Sequence, residues 1–540
     1  MSIFFQRAGA NRRIKAGFVG LIGGCLLFAA HAAASEQTQT DEIDARQVYI
    51  HYCSVCHGTD RLGGIGPALL PGNLRRLKKP AAAATIAKGR VATQMPPFEA
   101  TLNEAQIEKL VAYIYTPPKQ TPVWSEQHIS ASHVIHKPEL LEQSALSLPP
   151  KFDADPMNLF LVVEAGDHHV TVLDGDKFEP LHRFKSRYAL HGGPKYSSTG
   201  RYVYFTSRDG WISKFDMYRF EVVAEIKAGI NTRNAAVSAN DRYVLVGNYL
   251  PQNMVLLDAH DLSLIKVIPA IGKNGESSRV SAVYTARPRE SFMIAMKDVK
   301  EIWELNYSDD PPAGFSADWN HDYRKDSGDA DHEIFPIKRM SVDHYMDDFF
   351  FDQGYVRVIG SSRDGGTLVF DLDLKRVTHK LDLDGMPHLS SGITWKYGDT
   401  TVLATPNIRR GEVSVIDMKD WTTIKRIPTK GPGFFMRSHE NSNYAWVDVF
   451  FGPHKDLMHV IDKRTLEIVK TLKPAPGKTS AHIEFTRDGG HALLSIWEPD
   501  GALVVFDGET LEEVKRLPMK KPVGKYNVYN KINLSEGTSH

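Results

Sequence analysis

A repeated pattern of apolar strands runs from residue 158 to the end of the chain. The repeating unit is an apolar, mostly β-branched run that ends in an acidic or amide residue and is followed by a turn. Its copies lie at residues 170–174, 212–216, 254–258, 302–306, 368–371, 413–417, 458–462 and 503–507. Successive copies end 42 to 48 residues apart, except for one step of 65 residues. Since each period has room for four short strands, the pattern predicts an eight-bladed β-propeller.

Two further segments define the extent of this array. Residues 308–333 are polar and rich in aspartate, and they account for the one long step as an insertion. Residues 525–529 read as a last strand that is well placed to close the ring. The repeats lack the Trp-Asp and Gly-His signatures of scaffold-type propellers. We therefore predict one propeller domain over residues 156–540.

A different, helical periodicity precedes the strands. Residues 44–52 are predicted to form one helix, and residues 103–115 another. The second carries apolar side chains at positions 107, 110, 111 and 114, the spacing of a single buried helix face. This pattern predicts a small all-α domain over residues 41–118. Residues 119–155, which contain several prolines, are predicted to be a linker that lies along the propeller.

The first 34 residues have the pattern of an export signal. Arg12, Arg13 and Lys15 precede an apolar stretch over residues 18–30, and small residues suited to cleavage follow it. The apolar stretch is short for a membrane span. We therefore expect a cleaved signal peptide over residues 1–34, a periplasmic location and no stable membrane span. A lipid anchor at Cys25 is the alternative.

Composition narrows the class of protein further. The chain of 540 residues contains 65 basic and 65 acidic residues, so its formal net charge is zero. A nucleic-acid-binding domain normally shows a basic tract, which this balance does not favour. Removal of the signal leaves two cysteines, Cys53 and Cys56. If both carry a cofactor, no structural disulfide can form.

Those two cysteines form the strongest chemical motif. Cys53-Ser54-Val55-Cys56-His57 has the spacing at which c-type haem is attached through two thioethers, with the histidine as an iron ligand. A zinc site is the alternative, but it would need further ligands. Met95, among prolines some 40 residues later, is expected to be the second axial ligand, and a gap-filling core methionine is its alternative. The helical domain is thus predicted to be a class I cytochrome c.

Histidines and basic residues recur at related positions of the propeller repeats. The histidines are His191, His344, His388, His439 and His482, each of which we place just upstream of a second strand and hence at one end of the barrel. The interleaved basic residues are Lys195, Arg208, Arg233, Arg363 and Arg437. Arginine binds carboxylates through two parallel hydrogen bonds. The pattern therefore predicts a central pocket for a polyacidic ligand. Taken singly, such a histidine is more often a core or surface residue than a ligand, and such an arginine is typical of an ordinary solvated turn.

The combination of a cytochrome c domain, a Pro-rich linker and an eight-bladed propeller resembles the cytochrome cd1 family. The most specific matching segments are residues 53–57, 188–191, 247–249, 386–388, 433–439 and 524–530. The resemblance implies that the propeller binds haem d1, a tetrapyrrole with several carboxylates. It implies His191 as the proximal iron ligand. It also implies that Arg233, Arg363, Tyr249 and His388 contact the macrocycle.

Family members of this architecture have two activities. One group reduces nitrite to nitric oxide in denitrification, and the other oxidises a propionate of dihydro-haem d1 to an acrylate. The nitrite reductases of this family use a pair of histidines on the distal side of the haem. This chain has no histidine over residues 293–300, where the first of that pair would fall. Glu164-Ala165 stands in place of an arginine that the reductase has in its first blade. Both departures favour the dehydrogenase.

For that reaction we expect His439 to be the base and Arg437 to hold the substrate carboxylate. We expect His344 to ligate the iron on its distal side or to gate access to it. Electrons would pass to the c-haem and then to an external acceptor. Nitrite reductase is an expected recipient of the finished haem d1. Two other classes stay open: a non-catalytic haem d1 carrier, and a quinoprotein with a calcium site near Asp309 and Asp310.

Overall fold

The computed structural model describes most of the chain beyond the predicted export signal. The residues described are 44–90, 95–190, 192–312, 315, 334–534 and 536–537. The predicted signal peptide, most of the Asp-rich insertion and His191 therefore lie outside the described residues. Among the helices that are described, none is both long and apolar enough to cross a membrane.

Short helices build the first domain. They are α1 (Ala45–Tyr52), α2 (Ser54–His57), α3 (Lys79–Lys88) and α4 (Glu104–Ile114). The side chain of Asp44 caps α1, and Asn103 and Gln106 form a reciprocal capping box on α4. The predicted apolar face of α4 packs with Tyr49 of α1 in one core. These contacts explain why both helices begin and end close to their predicted limits.

The linker contributes α5 (Glu126–Ala131) and β1 (Val134–Ile135). The propeller strands begin with β2 (Leu159–Glu164), β3 (His169–Asp174), β4 (Glu179–Lys185), β5 (Lys195–Tyr196), β6 (Tyr202–Thr206), β7 (Trp211–Asp216), β8 (Glu221–Lys227), β9 (Asn231–Val237), β10 (Tyr243–Leu250), β11 (Asn253–Asp258), β12 (Leu264–Pro269), β13 (Val280–Ala286), β14 (Ser291–Met296), β15 (Glu301–Asn306) and β16 (Ile337–Ser341).

The later strands are β17 (Asp348–Phe351), β18 (Arg357–Ser361), β19 (Thr367–Asp371), β20 (Arg376–Leu381), β21 (Ile393–Tyr397), β22 (Thr400–Pro406), β23 (Glu412–Asp417), β24 (Thr423–Pro428), β25 (Met436–Arg437), β26 (Tyr444–Asp448), β27 (Met458–Asp462), β28 (Glu467–Leu472), β29 (Ser480–Phe485), β30 (His491–Ile496), β31 (Gly501–Asp507), β32 (Glu513–Met519) and β33 (Pro522–Asn527). In the described residues they form eight antiparallel sheets, which confirms the predicted blades.

The ring closes through the last strand. Strand β33 pairs with β2 and completes the sheet β33-β2-β3-β4, so the end of the chain supplies the first strand of the first blade. The predicted closing strand over residues 525–529 is wrong at its end. Asn527 caps a helix, α6 (Val528–Asn533), by accepting a hydrogen bond from the Asn530 amide.

The linker lies along the second blade. Val134 and Ile135 of β1 pair antiparallel with Glu225 and Ala224 of β8, which adds a fifth strand at the outer edge of that sheet. The imidazole of His136 also contacts the Glu225 carboxylate at 3.0 Å. These contacts attach the linker to the propeller rather than leaving it as a free tether.

The blade topology gives the ring two different ends. At one end, the fourth strand of each blade leads into the first strand of the next, and the second strand turns into the third; we call this the crossover face. At the other end, the first strand turns into the second and the third into the fourth; we call this the hairpin face. Any loop residue can thus be assigned to one end from its place between strands.

Candidate functional site

The haem-attachment motif lies on a short, tightly packed helix. His57 is the last residue of α2, it is buried, and its Nδ1 donates a hydrogen bond to the Pro67 carbonyl at 2.8 Å. That bond fixes the tautomer and leaves Nε2 with the lone pair that an iron ligand needs. A Cβ at Gly66 would lie 2.6 Å from the His57 ring, so only glycine allows this approach. The donor set fits a c-type haem.

The two cysteines that would form the thioether links to the haem are partly buried. Burial raises the pKa of Cys53 to about 11 and also raises that of Cys56, so both are neutral thiols in the protein without haem. Met95 packs against the same core as Tyr49 and Leu110, and its carbonyl accepts a hydrogen bond from the Arg90 amide. Met95 thus stays a predicted axial ligand from within the cytochrome core.

Basic side chains gather at the crossover face, where we predict the acidic ligand. Arg208 follows β6, Lys297 follows β14 and Arg363 follows β18, each in a turn between a second and a third strand. Arg233 is near the start of β9, the first strand of its blade. Since equivalent turns of a propeller meet around one axis, the repeat brings these distant residues together. We call Arg208, Arg233, Lys297 and Arg363, with Tyr249, the basic pocket.

The pKa of Tyr249 reflects the positive electrostatic potential in the basic pocket. Burial raises the pKa of its phenol, but Lys297, Arg233, Arg208 and Arg279 oppose burial and lower the pKa to about 7. The Arg279 guanidinium lies 5.6 Å, and the Lys297 ammonium 6.0 Å, from the centre of the ring. A buried phenol with so low a pKa requires a strong excess of positive charge. The pocket is therefore suited to an anion.

Arg208 shows that the pocket is not electrostatically satisfied by protein groups alone. Its Nε is buried without a hydrogen-bond partner in the described part of the chain. Burial and the nearby charge of Arg233 lower the pKa of its guanidinium to about 9. Burying like charges together is unfavourable unless counter-charges are supplied. The carboxylates of a polyacidic ligand would supply them.

We expect this field to be visible as a titration. In the protein without tetrapyrrole, the Tyr249 phenol should ionise near pH 7, whereas burial raises the pKa of Tyr204 and Tyr284. The ultraviolet difference spectrum between wild type and Tyr249→Phe should therefore show phenolate appearing as the pH rises through 7. Lys297→Met should move this transition to higher pH, because it removes a cation that stabilises the phenolate. An unchanged difference spectrum across that range would contradict the proposed field.

His388 lies beside the basic pocket in the loop between β20 and β21. Its Nδ1 donates to the Phe434 carbonyl at 2.6 Å, and its ring stacks on Phe434 with centroids 4.0 Å apart. Burial lowers the pKa of the imidazole, and Arg363 and Arg233 lower it further against the attraction of Asp348. His388 is therefore neutral near pH 7, with Nε2 as the nitrogen able to accept a proton.

The hydroxyl groups of Ser390 and Tyr284 form a chain of contacts that begins at His388. The Ser390 hydroxyl lies 3.2 Å from Nε2, and the Asp348 carboxylate lies 4.0 Å from it. Burial raises the pKa of Tyr284, and a hydrogen bond with Ser390 opposes that rise. These residues connect His388 to a buried phenol. Tyr284 is more than 100 residues before His388 in the chain, so sequence spacing gives no sign of this connection.

His344, which is predicted to ligate the iron on its distal side, is at the same end. His344 lies in the loop between β16 and β17, and its Nδ1 is buried without a partner in the described residues. A Cβ at Gly366 would lie 2.9 Å from the His344 Nε2, so the imidazole packs against the turn that carries Arg363. His191 lies outside the described residues. Its neighbour Gly192 packs against Asn234 of β9, next to Arg233.

The predicted position of His439 is wrong. It follows β25 in the turn to β26, which places it at the hairpin face, at the opposite end from the basic pocket. Its carbonyl accepts a hydrogen bond from Lys463, and Gly489 packs on its ring, both from other hairpin-face turns. Sequence spacing around a two-residue first strand did not show on which side of that strand the histidine falls.

Arg437 and His482 lie in the first strands of their blades rather than in the loops at either end of the ring. Arg437 belongs to β25, is buried, and has its Nε 3.7 Å from the Glu484 carboxylate. His482 belongs to β29 and packs against Tyr526. Lys195, in β5, lines a cavity of about 130 Å³ together with Tyr284, Arg287 and Lys531. The structure therefore places these three predicted residues, Arg437, His482 and Lys195, in strands and not in the turns that carry Arg208, Lys297 and Arg363.

The cytochrome domain rests on the crossover face. The Asn73 amide donates to the Tyr249 carbonyl at 3.0 Å, and the Tyr188 hydroxyl lies 3.4 Å from the Val55 carbonyl within the haem motif. Burial and the charge of Arg363 lower the pKa of Arg90, so this cytochrome residue adds to the positive field. The residues that form these interdomain contacts are far apart in the chain, so no local sequence pattern predicts them.

Comparison with known proteins agrees with this geometry. Residues 154–531 match the family model of the cytochrome D1 heme domain, and residues 41–114 match that of the cbb3-type cytochrome c oxidase subunit III. A dihydro-heme d1 dehydrogenase of Pseudomonas aeruginosa is 53% identical over 523 residues, covering 97% of this chain and 99% of that protein. A nitrite reductase of Stutzerimonas stutzeri is 24% identical over 575 residues, covering 95% and 98%.

A solved structure gives the same result. Dihydro-heme d1 dehydrogenase NirN in complex with DHE superposes with a TM-score of 0.74 at 54% identity, covering 91% of this chain and 100% of that chain. The chain therefore belongs to the cytochrome cd1 family, and within it to the branch that includes the dihydro-haem d1 dehydrogenase of Pseudomonas aeruginosa.

Proposed function

We propose that this protein is a dihydro-haem d1 dehydrogenase, which oxidises a propionate side chain of the tetrapyrrole to an acrylate. The observation that carries the proposal is a buried pocket with excess positive charge and a neutral histidine at its edge, directly under a cytochrome c domain. The relative that is 53% identical bears the same activity in its name. The test is whether the protein converts bound dihydro-haem d1, which is measured by the change in the spectrum of the tetrapyrrole.

The basic pocket would bind the substrate through its carboxylates. Arg208, Arg233 and Arg363 approach the pocket from three blades, so a rigid macrocycle with several acids can pair with them simultaneously. Pairing removes the cost of burying these cations together. We propose that His191 and His344 would hold the iron of the tetrapyrrole.

The reaction removes two hydrogens from the propionate as two protons and two electrons. We assign the proton-accepting role to His388, because its Nδ1–H is held by a carbonyl and its Nε2 has a lone pair. Asp348 at 4.0 Å stabilises the imidazolium that results. Ser390 and Tyr284 offer a path for a proton away from the pocket. This assignment replaces the sequence-based choice of His439.

The cytochrome domain supplies the electron acceptor. Cys53, Cys56, His57 and Met95 would hold a covalent haem, which accepts one electron at a time. The contact between Tyr188 and Val55 joins the haem motif to the propeller loop that precedes His191. An external acceptor must then reoxidise the haem between the two electrons. We further propose that the mature protein is exported to the periplasm and that nitrite reductase receives the finished haem d1.

Arg208 gives a test of substrate binding in which two effects have opposite signs. Arg208→Met should weaken the binding of dihydro-haem d1 by about tenfold to a hundredfold, because a charge-assisted hydrogen bond is lost. It should not destabilise the substrate-free protein, because it removes a buried cation whose Nε has no partner among the described residues. Absorbance titration measures the first effect and thermal unfolding the second. Arg410→Met, at an exposed site, is the matched control. Equal binding by both variants would contradict the assignment.

A further inference from the structure

Arg76 of the cytochrome domain reaches into the wall of the basic pocket. It lies between α2 and α3, yet its two terminal nitrogens donate to both oxygens of Asp347, each at 3.1 Å. One of them also donates to the Lys297 carbonyl at 2.6 Å, and the other to the Asp364 carboxylate at 2.7 Å. The guanidinium thus uses its planar fork on three separate propeller residues.

The residues that Arg76 holds belong to the pocket itself. The Asp347 carboxylate, which is almost fully buried, also accepts hydrogen bonds from the Lys297 ammonium at 2.8 Å and from the Arg363 backbone amide at 2.9 Å. Lys297 and Arg363 both line the basic pocket. A single carboxylate therefore links the cytochrome domain to two pocket cations.

The same guanidinium also contacts the loop over residues 342–347, which we call the distal loop because it carries His344. Tyr345 immediately follows His344, and the Arg76 guanidinium carbon lies 3.9 Å from the centre of the Tyr345 ring, within the range of a cation–π contact. Asp347 closes this loop by donating its backbone amide to the Ser361 carbonyl at 3.0 Å. Arg76 thus contacts the loop over residues 342–347 at two points, Tyr345 and Asp347, both of which precede β17.

We propose that Arg76 is a positioning residue that fixes the distal loop and the Arg363 turn over the substrate when the cytochrome domain is docked. This inference rests on the proposed function and deepens it. The contacts that dock the cytochrome domain are then the same contacts that hold the distal loop and the Arg363 turn over the substrate. The substrate would be held most firmly in the arrangement that can also accept its electrons.

The neighbouring residue Arg75 provides a matched control. Its guanidinium also crosses to the propeller, donating to the Ser277 carbonyl at 2.6 Å and lying 3.6 Å from the Glu276 carboxylate. It is more exposed, and its partners are in a turn that carries neither His344 nor Arg363. A residue that merely fastens the two domains should behave like Arg75.

The test compares Arg76→Ala, Arg76→Lys and Arg75→Ala in the haem-loaded full chain. Without substrate, hydrogen exchange of the amides over residues 342–347 should accelerate in Arg76→Ala and not in Arg75→Ala, while the c-haem spectrum stays unchanged in both. With dihydro-haem d1, Arg76→Ala should release substrate about threefold to thirtyfold faster and alter its bound spectrum. Arg76→Lys should restore the effect only in part, because lysine lacks the fork.

The outcomes separate the two proposals. If Arg76→Ala and Arg75→Ala behave alike in exchange and in substrate release, the positioning role is wrong, whether or not the enzyme turns over. If wild-type protein binds no dihydro-haem d1, or binds it without converting it, the proposed function fails. In that case the hydrogen-exchange comparison still decides whether Arg76 fixes the distal loop.

Discussion

His388→Ala is expected to retain dihydro-haem d1 but to oxidise it about 10²- to 10⁴-fold more slowly than wild type, the usual loss when a general base is removed. The basic pocket still holds the carboxylates, so binding should change little. The proton of the propionate has then lost the neutral imidazole that we assign as its acceptor. Anaerobic single-turnover spectra measure the rate, and absorbance titration measures the binding.

Two control variants separate the loss of a base from a loss of packing and test the alternative base. His388→Gln keeps a polar side chain of similar size over Phe434, and it should be as slow as the alanine variant although its packing is better preserved. His439→Ala, at the hairpin face, should convert substrate at close to the wild-type rate. The reverse result, with His439→Ala inactive and His388→Ala active, would show that the original sequence-based choice of base was correct.

Loss of the covalent haem should have the second large effect. The double variant Cys53→Ser/Cys56→Ser is expected to lose sustained turnover completely, because the propeller keeps its substrate but has no electron acceptor attached to it. Substrate bound to this variant should remain dihydro-haem d1 under anaerobic conditions. Pigment extraction shows whether haem is attached, and the spectrum of the bound tetrapyrrole shows whether it has been oxidised.

Met95→His is a second variant that tests electron transfer without removing the covalent haem, whose loss can unfold the cytochrome domain. It keeps both thioether links and replaces the thioether ligand with an imidazole, which lowers the reduction potential of the haem. Electron transfer from the substrate should then slow while binding is unchanged. Potentiometric titration of the c-haem checks the potential. An unchanged potential would show that Met95 is not an axial ligand.

The sequence predicted the fold closely because the repeat is a property of local pattern. An apolar run with a terminal acid recurs at a nearly constant period, and each copy forms a third strand that its neighbours pair with on both sides. The haem motif was equally accessible, since covalent attachment requires fixed spacing within five residues. The end of the closing strand was mispredicted because Asn527 is followed by a helix-capping contact rather than by further strand pairing.

The site was only partly predictable, for a physical reason. A pocket at the axis is made of residues far apart in sequence, so a residue type and its blade can be read from the chain but its end of the ring depends on strand boundaries. His388 and His439 have similar sequence surroundings, yet the first precedes a first strand and the second follows one. Lys297 and Arg76 were missed because their shared partner Asp347 is far from both in sequence, and no sequence pattern connects them to it.

The most direct test of the account is an anaerobic single turnover of the oxidised, haem-loaded protein with dihydro-haem d1. The account predicts that the bound tetrapyrrole gains the haem d1 spectrum while c-haem becomes reduced, with two electrons recovered in c-haem and added acceptor for each acrylate formed. A bound dihydro-haem d1 that stays unchanged beside an oxidised c-haem would contradict the account and identify the protein as a carrier.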